Sequence, residues 1–137
     1  MRENNQALIV VREWVAKAEN DLKTAAHTLK LGDECPTDTV CFHAQQCGEK
    51  YLKAYLVLKG VDFPKTHDIE RLVALLPRGT GLSLTGKEQA ALTDYATAAR
   101  YPGWGHIPIR DARQAVAIAR RVRRHMRSLL RVTAWNR

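Results

Sequence analysis

Between Phe42 and Lys53 four side chains with hydrogen-bonding chemistry, His43, Gln46, Lys50 and Lys53, follow one another at intervals of three or four residues. On a helix that spacing places them in one row. An imidazole, an amide and two ammonium groups in a row are donors of the kind that phosphate oxygens accept from. The same row also reads as a solvated flank, with Glu49 and Lys53 in the favourable i,i+4 order of a surface ion pair. Farther along, His67 follows Thr66 at the expected start of a helix, where it can cap or pack as well as bind. The segment RYPGWGH presents Tyr101 and Trp104 beside glycines, each able to stack on a base or to pack in an interface between subunits. His43, His67 and His106 share no helical ligand spacing, so no metal site and no cofactor are expected.

Helices must position these groups. Leu8, Val11, Val15, Ala18, Leu22, Ala25 and Leu29 alternate steps of three and four, which predicts a first helix over Asn5 to Lys30, stopped at Gly32. Val40, Ala44, Cys47, Tyr51, Ala54 and Leu58 do the same for a second helix, capped by Thr37 or Asp38 and ending near Gly60. Thr66 is the expected cap of a short third helix that buries Leu72, Val73, Leu75 and Leu76. Thr85-Gly86-Lys87-Glu88 has the form of a capping box, so a fourth helix starts there, with Ala91, Tyr95 and Ala98 inward. Pro102, Gly103 and Gly105 break it. A last helix from Pro108 or Arg110 to about Val132 turns Ala112, Ala115, Ala119, Val122, Met126 and Leu129 inward. No strand-like alternation is present. The expected fold is all-α, an up-and-down antiparallel bundle of about five helices, in one domain over residues 1–137.

The totals narrow the function. The net charge of +8 is confined to one end: from Arg110 onward there are nine arginines and one aspartate, while the rest of the chain balances. Such a segment suits an anionic partner, most simply nucleic acid. Arg120, Arg121, Arg123, Arg124, Arg127 and Arg131 cover several helix faces, so they cannot all serve one groove. Trp14 and Trp135 lack the glycine context of Trp104. The cysteines Cys35, Cys41 and Cys47 are odd in number and not in a CxxC pattern, which argues for small buried side chains and against a disulfide framework. No apolar run is long enough to span a bilayer and the N-terminus does not read as a signal peptide, so no membrane is expected and the cytoplasm is the expected address.

FHAQQCGEKYLKAYLVLKG followed by FPKTHDIERL resembles the HEPN family, and the resemblance extends from about Val11 to about Arg124. The family's second landmark, an Arg followed by a His, matches Arg100 and His106, with five residues between them. The resemblance implies nucleotide or RNA binding and a possible metal-independent ribonuclease, in which Arg100 and His106 are catalytic and two subunits bring their pairs into one cleft. It implies a homodimer and one half of a toxin–antitoxin pair whose other half is a minimal nucleotidyltransferase. His43, Gln46, Lys50, Lys53, His67, Tyr101 and Trp104 would then bind nucleotide or RNA, with Lys50 and Lys53 facing the cleft of Arg100. Two departures are visible: Tyr101 follows the Arg where active members carry a polar residue, and Pro102, Gly103 and Gly105 put His106 in a loop. They keep open an alternative, a non-catalytic helical partner that docks a nucleotidyltransferase. A third reading is plain nucleic-acid binding by the arginine-rich last helix.

Overall fold

The computed structural model describes residues 2–134; Trp135 lies outside them, and so does the side chain of Arg131. Five α-helices and no strand make up the described residues: α1 (Arg2–Leu29), α2 (Thr37–Leu58), α3 (Ile69–Ala74), α4 (Gly86–Ala96) and α5 (Ile109–Ala134). Single turns of 3-10 helix at Gly32–Glu34 and Ala98–Arg100 follow α1 and α4.

Helix α2 is the centre of the bundle and packs against all four others. The expected stripe Val40, Ala44, Cys47, Tyr51 and Ala54 is buried, with Leu58 only partly covered. Burial does not stop at the stripe. Cys41, Gln45, Leu52, Tyr55 and Leu56 are also enclosed, because neighbours cover the helix on nearly every side. Val11, Val15, Ala18 and Ala25 of α1 and Ala112, Ala115, Ala119, Val122 and Met126 of α5 complete the core. The three cysteines are buried, and burial pushes the Cys41 thiol up to about 12, so they pack as neutral side chains.

The helix ends show where local chemistry wins. After α2 the Gly60 N–H donates to the Val57 carbonyl and the Val61 N–H to that of Leu56, with Gly60 at φ +68°, a Schellman stop. Thr85 and Glu88 form the expected reciprocal capping box. Three expectations are corrected. Asp68, not Thr66, caps α3 by accepting from the Arg71 N–H, so His67 precedes the helix. Leu92 and Ala96, not Ala91, Tyr95 and Ala98, form the buried face of α4. Neither Thr37 nor Asp38 is the N-cap of α2; Pro36 holds that position, and the Thr37 hydroxyl donates 2.7 Å to the Ile107 carbonyl instead.

Glu19 ties three helices together. It accepts from Arg123 Nε of α5 at 2.7 Å and from the Tyr51 hydroxyl of α2, with Arg127 at 3.8 Å. Partial burial pushes its carboxyl up, but the hydrogen bonds from Arg123 and Tyr51 and the charges of Arg123 and Arg127 outweigh this and hold it below its ordinary value of 4.5. A depressed carboxylate contributes stability that is complete above the ordinary value and lost as the pH falls through the folded-state value. Glu19→Gln should therefore cost about 1–2 kcal/mol at neutral pH and flatten the loss of thermal stability between about pH 5 and about pH 3, read by circular dichroism melts.

Candidate functional site: a cleft at the Arg100–His106 turn

The RYPGWGH segment is a built turn. The Trp104 N–H donates to the Tyr101 carbonyl at 3.3 Å, with Pro102 and then Gly103, at φ +97°, on the two corners. Proline followed by a positive-φ glycine is the pattern that a type II turn demands. One end of the segment is held by the 3-10 turn through Arg100, the other by buried Ile107, whose carbonyl receives the Thr37 hydroxyl.

A cleft of about 460 Å³ opens beneath this turn, lined among others by Arg100, Tyr101, His106, Cys35, Thr37 and Asp38. The first residues of α2 line it, so the positive end of a 22-residue helix meets the cleft. Asp38 supplies a local negative charge there, and its carboxylate accepts from the Thr39 N–H at 2.8 Å. Arg100 is exposed, and its guanidinium lies 4.5 Å from the Phe42 ring centroid. A guanidinium over an aromatic ring keeps N–H groups that can still grip a phosphate. Among the described residues no carboxylate pairs with Arg100, and no hydrogen-bond partner holds His106. Tyr101, 71% exposed, lines the cleft, whereas Trp104, 45% exposed, sits on the same turn but does not line it.

The row on α2 lies elsewhere. His43 Nδ1 is 2.8 Å from Asp21 Oδ1, and Lys50 Nζ donates 2.6 Å to Asp21 Oδ2. Glu49, 2% exposed, accepts from Gln45 at 3.0 Å, Gln46 at 3.3 Å, Lys53 at 2.9 Å and His67 Nδ1 at 2.9 Å. The Lys53 ammonium also lies 5.4 Å from the Trp14 ring and 5.8 Å from the Phe63 ring. The Glu49–Lys53 pair expected on the surface is thus buried, and the solvated-flank reading gives way to an internal polar network. None of His43, Gln46, Lys50, Lys53 and His67 lines the cleft of Arg100 and His106. Among the described residues no group of three metal-ligating side chains gathers.

Asp21 and Phe42 carry no signal in the sequence, and Thr37 takes a role other than the expected one. Asp21 sits beside the apolar seam of α1, where an acidic residue gives no periodic signal. Phe42 supports Arg100 from a distance of 58 positions along the chain. Thr37 looked like a cap and serves as an anchor.

Removing Glu49 should expose the cost of the network. Glu49→Ala leaves a buried ammonium unpaired and should destabilise by about 3–5 kcal/mol in urea unfolding. Glu49→Leu combined with Lys53→Met should recover most of that loss.

Comparison with known proteins adds the family. No curated protein matches the chain. A crystal structure of TT1696 from Thermus thermophilus is similar, with a TM-score of 0.67 and 27% identity over 86% of this chain and 96% of that one. The family model described as HEPN domain matches residues 11–129. With that match over most of its length, the chain belongs to the HEPN domain family.

Proposed function

We propose that this HEPN protein binds nucleotide or RNA in the cleft beneath the RYPGWGH turn and cuts RNA there without a metal, as the ribonuclease half of a toxin–antitoxin pair. The observation that carries the reading is the contrast between committed and uncommitted cations. Lys50, Lys53, His43 and His67 each face a carboxylate. Arg100 and His106 share an open cleft with a helix N-terminus, and both are exposed. The role of the α2 row in this reading is positional: it fixes the helix that carries Phe42 under Arg100 and starts at the cleft.

The chemistry follows from these groups. Arg100 holds the non-bridging oxygens of a phosphodiester and stabilises the charge that grows on them. The 2′-hydroxyl attacks phosphorus as its proton passes to a base, the P–O bond to the 5′-oxygen breaks, and that oxygen takes a proton from an acid. A 2′,3′-cyclic phosphate and a 5′-hydroxyl remain, and DNA is spared because it has no nucleophile. The His106 imidazole can take or give a proton and fits one of the two proton transfers. In a homodimer the equivalent histidine of the second subunit would fit the other. Tyr101 and Trp104 would stack on the flanking bases.

A second reading is favoured by the same two rings. Exposed Tyr101 and Trp104, with Leu31 also exposed, are aromatic and aliphatic anchors of the kind found at protein interfaces. On that reading the turn docks a partner such as a minimal nucleotidyltransferase and the isolated chain is inert. Incubating the pure protein with RNA in EDTA separates the two. Metal-independent cleavage with cyclic-phosphate ends, lost by about 100-fold or more in Arg100→Ala and in His106→Ala, is the expected result. Intact RNA with the wild-type protein would leave the docking reading.

A further inference from the structure

A second surface remains after the cleft and its turn are accounted for. A groove of about 270 Å³ runs between α1 and α5, lined by Glu19, Lys23, His27 and Lys30 on one side and Arg120 and Arg123 on the other. Lys23, His27 and Lys30 lie at intervals of four and three, so they form one row along α1. Glu19 is the acid in the groove, and its charge is already answered by Arg123 and Arg127. Lys23, Lys30 and Arg120 are exposed, and among the described residues none of them makes an ion pair. Three cations without an ion pair on the walls of one groove form a local excess of positive charge.

The direction of the groove follows from the helices. Glu19 of α1 pairs with Arg123 of α5, whereas Lys30, at the α1 end, shares the groove with Arg120, which is nearer the start of α5. The two helices are therefore antiparallel, and the groove heads toward the end of the bundle where α1 finishes and α5 begins. Cys35, Pro36 and Ile107, which lie just beyond those helix ends, line the Arg100–His106 cleft. Exposed Arg113 and Arg110 lie in the first turns of α5, between Arg120 and that end, with Arg110 Nε 3.6 Å from Asp111. From Arg120 to Ile109 the helix spans roughly 16 Å at about 1.5 Å per residue, a distance of a few nucleotides.

We infer that the α1–α5 groove is a sequence-independent track for the phosphate backbone of single-stranded RNA, which feeds the strand toward the Arg100–His106 cleft. The track rests on the RNA reading of the cleft for its purpose but not for its chemistry. Lysines and an arginine aimed at phosphates recognise the backbone and not the bases. Strands long enough to cover both groove and cleft should gain affinity from the groove. A dinucleotide in the cleft should not.

The test uses the full chain and two labelled probes, a uridine 12-mer and a uridine dinucleotide, followed by fluorescence anisotropy over a salt series in EDTA. To keep the strands intact, each probe carries 2′-O-methyl groups. The variant Lys23→Gln, Lys30→Gln, Arg120→Gln changes exposed side chains only, and an unchanged melting temperature verifies its fold. It should bind the 12-mer at least about ten-fold more weakly and reduce the slope of log K against log salt by about 2, as expected for three lost phosphate contacts on a single strand. Dinucleotide binding should stay as in wild type. A matched variant with Lys23→Arg, Lys30→Arg and Arg120→Lys should retain the full slope. An unchanged slope for the 12-mer, or an equal loss for both probes, would overturn the track. So would a loss of binding to anionic phosphatidylserine vesicles with none for RNA. Arg100→Ala tests the cleft separately: if it leaves dinucleotide binding intact while the groove variant still lowers the slope, the cleft reading fails and the track stands.

Discussion

The bundle depends on a carboxylate that cannot be left alone. Glu49 is almost wholly enclosed, and an ionised group in that position requires donors on both oxygens. Gln45, Gln46 and Lys53 supply three of them from the same helix, one turn before and one turn after, and His67 supplies the fourth across the α2–α3 connection. Gln45 also donates to the His67 carbonyl, so the connection is held by both the ring and the backbone of one residue. This fixes where the chain enters α3. With Trp14 and Phe63 against Lys53, it also fixes how α1 and the turn after α2 close over the polar row.

The same demand sorts the cations of the molecule. Buried and half-buried acids take several of them: Asp21 pairs with His43 and Lys50, Glu19 with Arg123, and Glu88 with Arg121. The basic half of the sequence is therefore less free than its formal charge suggests. Among the cations left without an ion pair, Arg100 and His106 share one cleft, and Lys23, Lys30 and Arg120 share one groove. Charge that folding has not consumed is available to a ligand. That makes the residual cations more informative than the total.

Much of the architecture was legible because it rests on spacing. The seams of α1, α2 and α5 and the Thr85–Glu88 box are periodic or positional signals, and each reappears in the structure. The buried side of α4 was misread by one residue, because Ala91 and Tyr95 share the helical period with Leu92 and Ala96 and only packing decides between neighbouring rows. The site was less legible for a related reason. A row of His43, Gln46, Lys50 and Lys53 looks the same whether it faces water, phosphate or a buried acid, and the acid in question is on another helix for half of the row. Asp21 and Phe42 act across the fold, and no local pattern announces them. The proline and glycines of RYPGWGH suggested looseness, yet the same residues define a turn whose ends are both fastened.

That fastening turns the interval between Arg100 and His106 into a tether of set length. The guanidinium rests on a ring that belongs to α2, and the imidazole hangs one residue before a carbonyl moored to the first residue of α2. Both ends of the leash are thus nailed to the opening turns of a single helix. A shift of that helix would therefore pull on the backbone at both ends of the turn at once.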